Sequence, residues 1–239
     1  MIDARPILQI VTSIPKRHED EFNDFYHHEY IPIILKVFPE IVKARRYEEY
    51  NTDASLRYYF KQWVTIYELE SEAAIEPLLK ALPERSGREK QKQRWKEFEQ
   101  KFTTYEKGRV YTCRYQHPRK TWDGPFGCRC FFSVTVDIKQ DRMEEFNTWY
   151  EKEFLPSNIA DVATWSACRR YTSYTGSPTR QITIYESENA SSLDYSLKLM
   201  RARWRMRENE SWNQWDTGED PVITWEDAST FMPVFCYPD

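Results

Sequence analysis

The chain repeats itself, and this repeat narrows the possible folds more than any other feature. A shift of 124 positions aligns 21–47 with 145–171 without a gap, and nine of those 27 positions are identical. They include Phe22/Phe146, Asn23/Asn147, Tyr26/Tyr150, Glu29/Glu153 and Pro32/Pro156, and Arg45-Arg46-Tyr47 returns as Arg169-Arg170-Tyr171. The match resumes at a shift of 118, where Thr65-Ile66-Tyr67-Glu68 recurs as Thr183-Ile184-Tyr185-Glu186, so the second copy has a connection six residues shorter. A weaker match at a shift of 112 pairs Val110-Tyr111-Thr112 with Val222-Ile223-Thr224. One supersecondary unit is therefore used twice in the same order. The expected division is a first module at 1–116, a linker at 117–127 and a second module at 128–239.

Each copy reads as βαββαβ. Ile7–Ser13 and Phe131–Val136 are rich in β-branched and aromatic residues, as strands require. The following helices span about 19–35 and 142–159. In the first, apolar positions 22, 25, 26, 29, 30 and 33 give the i, i+3, i+4, i+7 stripe of one buried face. Pro32 and Pro156 fall late in these helices and are expected to end or kink them. Strands at 43–50 and 58–69 follow, with 167–174 and 180–186 as their counterparts. A charged helix then runs from Ser86 through Trp95, Phe98 and Phe102. Its counterpart carries Leu193, Leu197, Trp204, Trp212 and Trp215.

Composition narrows the chemistry. Lys and Arg are spread among Asp and Glu at a net charge of −4, which argues against a nucleic-acid partner. No apolar run is long enough to span a bilayer, and the first residues lack the apolar core of a signal peptide, so a cytoplasmic protein with no membrane partner is expected. The six glycines form neither GxGxxG nor a P-loop, which disfavours a nucleotide cofactor. Five cysteines without a CxxC pair, and four histidines without metal spacing, suggest free thiols and no metal site. Nine Trp, sixteen Tyr and thirteen Phe supply core volume and can line a pocket for a flat ligand.

The helix pattern resembles a known family. Phe22-x-x-Phe25-Tyr26-x-x-Glu29-Tyr30-Ile31-Pro32 followed by Arg45-Arg46-Tyr47, and its second copy, are similar to the EthD-like branch of the dimeric α+β barrel superfamily. That resemblance implies an α+β fold in which two ferredoxin-like modules pair their antiparallel sheets into a barrel, as a monomer closed within the chain or as a homodimer. It also implies a small apolar pocket and no cofactor. The family histidine two before the proline is Tyr30 here and Phe154 in the second copy.

The candidate residues follow from both readings. Glu29 on the apolar stripe calls for a cation, so a buried Glu29–Arg46 pair is expected, either as a fastener or as a tuned base. Tyr30 stands at the family's histidine position and can donate a proton. His27 and His28 are absent from the second copy; a helical wheel puts both on the solvent flank, with His28 able to reach a pocket rim. Tyr30, His28, Glu29 and Arg46 are the catalytic candidates, and Tyr26, Tyr47 and Phe25 the substrate-binding ones. The expected activity is cofactor-independent acid/base chemistry (cyclisation, dehydration or decarboxylation) on a phenolic or polyketide-like molecule of secondary metabolism. Cofactor-free oxygenation and non-catalytic small-molecule binding are the alternatives. The differences between the copies mark the first as the working half.

Overall fold

The computed structural model describes residues 4–50, 60–102, 105–118, 127–174 and 176–238. The chain divides into two compact units, Arg5–Thr112 with Phe231–Asp239, and Cys113–Thr230 with Met1–Ala4. They are called the first and second modules below.

In the first module β1 (Ile7–Pro15) leads into α1 (Glu19–Phe25), a π-helical turn (Tyr26–Tyr30) and α2 (Ile31–Val37). The hairpin β2 (Ile41–Tyr50) and β3 (Phe60–Leu69) follows, then α3 (Ile75–Glu84), α4 (Glu89–Lys101) and β4 (Tyr105–Pro118). The strand order β4-β1-β3-β2 is antiparallel throughout, with Leu8 opposite Tyr67 and Arg46 opposite Thr65. This is the ferredoxin-like arrangement expected from the element order. The second module repeats it with β5 (Cys130–Ile138), α5 (Met143–Trp149), a π-helical turn (Tyr150–Phe154) and α6 (Leu155–Asp161). It continues with β6 (Ala167–Ser173), β7 (Thr179–Ser187), α7 (Ala190–Met200), α8 (Met206–Asp216) and β8 (Ile223–Tyr237), in the order β8-β5-β7-β6. The last strand of each module is long, and its end belongs to the compact unit of the other module.

The first helix continues past its proline. Pro32 has no N–H to give the carbonyl four residues back, and the wider π turn just before it absorbs that loss. The same turn precedes Pro156. A step of five positions therefore leads from the buried Tyr26 to the next fully buried position, Ile31, and the core stripe runs 22, 25, 26, 31, 34. Positions 29 and 33 rotate out of the stripe that an unbroken α period predicts. Asp20, Glu21 and Glu19 in the first turn of α1 oppose the helix dipole favourably.

Strand alternation then sorts the sheet. Leu8, Ala44, Arg46, Trp63, Thr65 and Tyr67 share the face under α1 and α2, whereas Arg45 and Tyr47 point to the opposite face. The expected second helix is two helices in each module: Ile75–Glu84, with its buried Ile75 and Leu78, precedes the charged helix. The expected linker 117–127 overlaps the end of β4, and 119–126 lie outside the described residues. Cys113, Cys130 and Cys168 are not in disulfides, but Cys128 and Cys236 are disulfide-bonded, which corrects the expectation of five free thiols. Spacing in sequence does not report what the fold brings together.

Candidate functional site

The repeated arginine of β2 and β6 is the centre of the candidate site, and the two modules treat it differently. Arg46 is fully buried beneath α1. Its Nη2 donates to Asn23 Oδ1 at 2.9 Å, while Nε and Nη1 have no partner among the described residues. Its guanidinium lies 4.1 Å from the Tyr26 ring centroid, 5.0 Å from Trp63 and 5.3 Å from Phe22. No carboxylate pairs with it among the described residues. Burial pulls the guanidinium down from its ordinary 12.5 to about 10, an effect that Tyr26 and Tyr67 partly offset.

Arg170 is equally buried, and both of its Nη groups are bonded, although its Nε, like that of Arg46, has no partner among the described residues. Nη1 donates to Glu151 Oε1 at 2.7 Å, and Nη2 donates to Asn147 Oδ1 at 2.7 Å and to Gln181. Glu151 also accepts from Arg114 Nε, on the end of β4, at 2.6 Å. In the alignment of the copies Glu151 is His27 and Gln181 is Trp63. Two substitutions thus separate an arginine whose Nη1 is paired with a carboxylate from one whose Nη1 is unpaired among the described residues and which has an imidazole and an indole in place of Glu151 and Gln181.

His27 completes the open version. Its ring stacks on Phe235, on the end of β8, at 4.6 Å and an interplanar angle of 1°. Its Nε2 is buried without a hydrogen-bond partner among the described residues. Burial first, then the Arg46 charge and His28, pulls the imidazole down from 6.5 to about 4, so it is neutral near pH 7. Thr65 Oγ1 and Trp63 Nε1, on the same sheet face, are likewise buried and unbonded among the described residues. Beside them the Tyr26 and Tyr67 hydroxyls are 3.1 Å apart, and burial raises the Tyr67 phenol well above its ordinary value.

The structure does not bring the four catalytic candidates together. Arg46 lies on the sheet under the helix. Glu29, turned outward by the π turn, pairs with Arg94 of α4 rather than with Arg46, and its repeat Glu153 is exposed. This corrects the expected Glu29–Arg46 pair. His28 is exposed and contacts Asp24 at 4.0 Å. Together with Glu29, Pro32, Lys36, Lys90 and Tyr237 it lines an open groove of about 790 Å³. Tyr30 is packed among rings, stacked on Tyr26 at 5.1 Å and tilted against Trp95 at 5.0 Å. Of the substrate-binding candidates, Tyr26 lies directly against Arg46. Phe25 is buried with the Arg94 guanidinium 5.0 Å from its ring, and Tyr47 lies on the far face of β2.

His27 was expected on the solvent flank and is instead half-buried beside Arg46. The sequence does carry its signal. Positions 27/151 and 63/181 differ between the copies while the arginine they flank does not, and strand register places position 63 on the arginine's face.

No family model matches the chain, and no curated protein matches it. Solved structures do. An anthrone oxidase-like protein aligns with 97% of this chain and 92% of its own at a TM-score of 0.65 and 8% identity. A candidate monooxygenase from Fusobacterium nucleatum aligns with 98% of this chain and 95% of its own at 0.58 and 11% identity. Another, from Lactobacillus acidophilus, aligns with 97% and 95% at 0.54 and 12% identity. At such identities the likeness speaks for fold, and with the strand orders above it establishes a ferredoxin-like α+β chain.

Proposed function

We propose that the first module is an enzyme site for a flat, oxygenated, phenolic or polyketide-like small molecule, which it binds as an anion and presents to O₂ without a metal or nucleotide cofactor. The observation that carries this reading is Arg46, a fully buried cation with two unpartnered N–H groups between the Tyr26 and Trp63 rings. A desolvated guanidinium stabilises an enolate or phenolate oxygen far better than water does, because charge-assisted hydrogen bonds strengthen where the dielectric is low. The aromatic walls suit a planar ligand. Arg46 would select the ionised form of an acidic phenol or β-dicarbonyl, so a strong base is not required. The resulting carbanion would reduce O₂, and the hydroperoxide formed would collapse. An activated methylene and one O₂ give a carbonyl and one water.

The names carried by the structural neighbours, anthrone oxidase-like and monooxygenase, favour oxygenation, and the EthD-like helix motif belongs to the same proposal. A second reading, dehydration or cyclisation of the same enolate, is favoured by the Tyr26–Tyr67 hydroxyl pair with Tyr30 stacked on it, since a phenol can protonate a departing hydroxide. The test is product analysis on a panel of anthrones and phenolic β-diketones under air and under argon. Oxygenation predicts protein-dependent O₂ uptake that vanishes under argon and in Arg46→Met. Conversion that persists undiminished under argon would replace oxygenation with the second reading. Absence of conversion in both atmospheres would leave a binding protein.

A further inference from the structure

We infer that Glu151 is a built-in occupant of the second module's anion site, so that the chain binds a single external anion, an aromatic carboxylate or enolate taken by the free Nη1 of Arg46. The inference rests on Arg46 facing the substrate, and it adds the ligand's chemical class, the number of sites and the reason one site is closed.

The argument compares two copies of one design. Both modules place a buried arginine on the second strand of the repeat, an asparagine on the first helix to hold Nη2, and a tyrosine ring under the guanidinium, at 4.1 Å in the first module and 4.6 Å in the second. In the second module Nη1 is filled from the π-helical turn by the Glu151 carboxylate, and Gln181 adds a further acceptor on Nη2. Arg114 braces that carboxylate from the strand end. In the first module the aligned residues are a neutral imidazole and an indole, and the Phe235 ring stacks on that imidazole.

Both replacements remove an acceptor and add an aromatic ring. A core that only needed filling would lose nothing by keeping Glu at position 27, because a buried guanidinium without an anion is costly. The fold already contains the remedy in its other half. What the first module retains is an unfilled Nη1 on Arg46, where the second module holds a carboxylate, with Nε2 of His27 and Nε1 of Trp63 also buried and unbonded among the described residues; Nε of the arginine is unbonded in both modules. A buried guanidinium N–H takes an anionic oxygen in a charge-assisted hydrogen bond, the bond that Glu151 accepts from Nη1 in the second module. The Tyr26, Trp63 and Phe235 rings favour an aryl group behind them.

Sodium benzoate is the probe, with benzamide as its neutral isostere, read by calorimetric titration of the full chain. The expected result is one benzoate per chain and at least tenfold weaker binding of benzamide. His27→Glu should supply the missing carboxylate internally, weaken benzoate at least tenfold and raise the melting temperature. Glu151→His should raise the benzoate count towards two. If Glu151→His does not fold, His27→Glu decides alone. Two benzoates on the wild-type chain, equal binding of benzamide, or unchanged benzoate affinity in folded His27→Glu would each overturn the inference, as would no benzoate binding at all. These readouts need no turnover. A chain that binds benzoate as described but converts nothing keeps the inference and loses the oxygenation reading, and the reverse result separates them the other way.

Discussion

Arg170 Nη1 donates to Glu151 Oε1 at 2.7 Å, and that bond makes the second module's buried arginine inexpensive where the first module's is not. Removing one partner of a buried ion pair strands the other, typically at a cost of about 3–5 kcal/mol. Glu151 keeps some solvent contact and serves two arginines. Glu151→Gln is therefore expected to lower stability by about 3 kcal/mol, read as a reduced urea midpoint at unchanged slope. A loss under about 1 kcal/mol would mean that the pair behaves like a surface bridge.

The opposite sign is expected at Arg46. Replacing a buried, unpaired charge with an apolar side chain of similar length relieves its desolvation, and such replacements are often neutral or stabilising by about 1–4 kcal/mol. Arg46→Met should keep or raise the melting temperature while abolishing benzoate binding and turnover. Arg46→Met that unfolds the protein would show that the bond to Asn23 and the ring contacts matter more than the charge.

His27 gives the first module a pH signature. Its folded value is about 4 against an ordinary 6.5, so between those values the unfolded chain takes up a proton that the folded chain refuses. Stability from this group is fully present above pH 6.5 and is lost as pH falls towards 4. A sealed group with that shift would be worth roughly 3 kcal/mol, and screening of the half-buried ring reduces this to about 1–2 kcal/mol. His27→Phe keeps a ring against Phe235 and removes the titration. The wild-type minus His27→Phe difference in unfolding free energy should therefore decrease from pH 7 to pH 4. A difference that is flat over that interval would show that the imidazole titrates normally.

The repeat made most of the fold legible because period and order survive divergence. Shared Phe22/Phe146, Tyr26/Tyr150 and Pro32/Pro156 were enough to place both helices, and alternation through Arg45-Arg46-Tyr47 placed the arginines on opposite faces. Two physical facts were not visible. A π turn has no residue signature of its own, yet its extra residue moved Glu29 off the sheet side and His27 to the buried margin of Arg46. Module membership of the strand ends was also hidden. The contacts of Phe235 with His27 and of Arg114 with Glu151 cross long sequence separations that no helix or strand period reports. The arginine at the centre of the proposed site was among the residues chosen from the sequence. Its expected partner was wrong because the helical wheel assumed one period throughout.

That error leads to a quantitative contrast between two glutamates of the first module. Glu29 pairs with Arg94 at side-chain exposures of 29% and 33%, whereas Glu68 pairs with Arg45 at 3.7 Å and exposures of 1% and 8%. A pair in partial contact with water is worth at most about 1 kcal/mol, because solvent screens it and ordering two long side chains costs entropy. A buried carboxylate beside a buried guanidinium cannot be lost so lightly, since the arginine left behind has no water to turn to. Glu29→Gln is expected to cost less than about 1 kcal/mol and Glu68→Gln about 3 kcal/mol, measured side by side by urea unfolding. Equal losses, or a larger loss at Glu29, would restore Glu29 as a core fastener and count against the outward rotation that the π turn imposes.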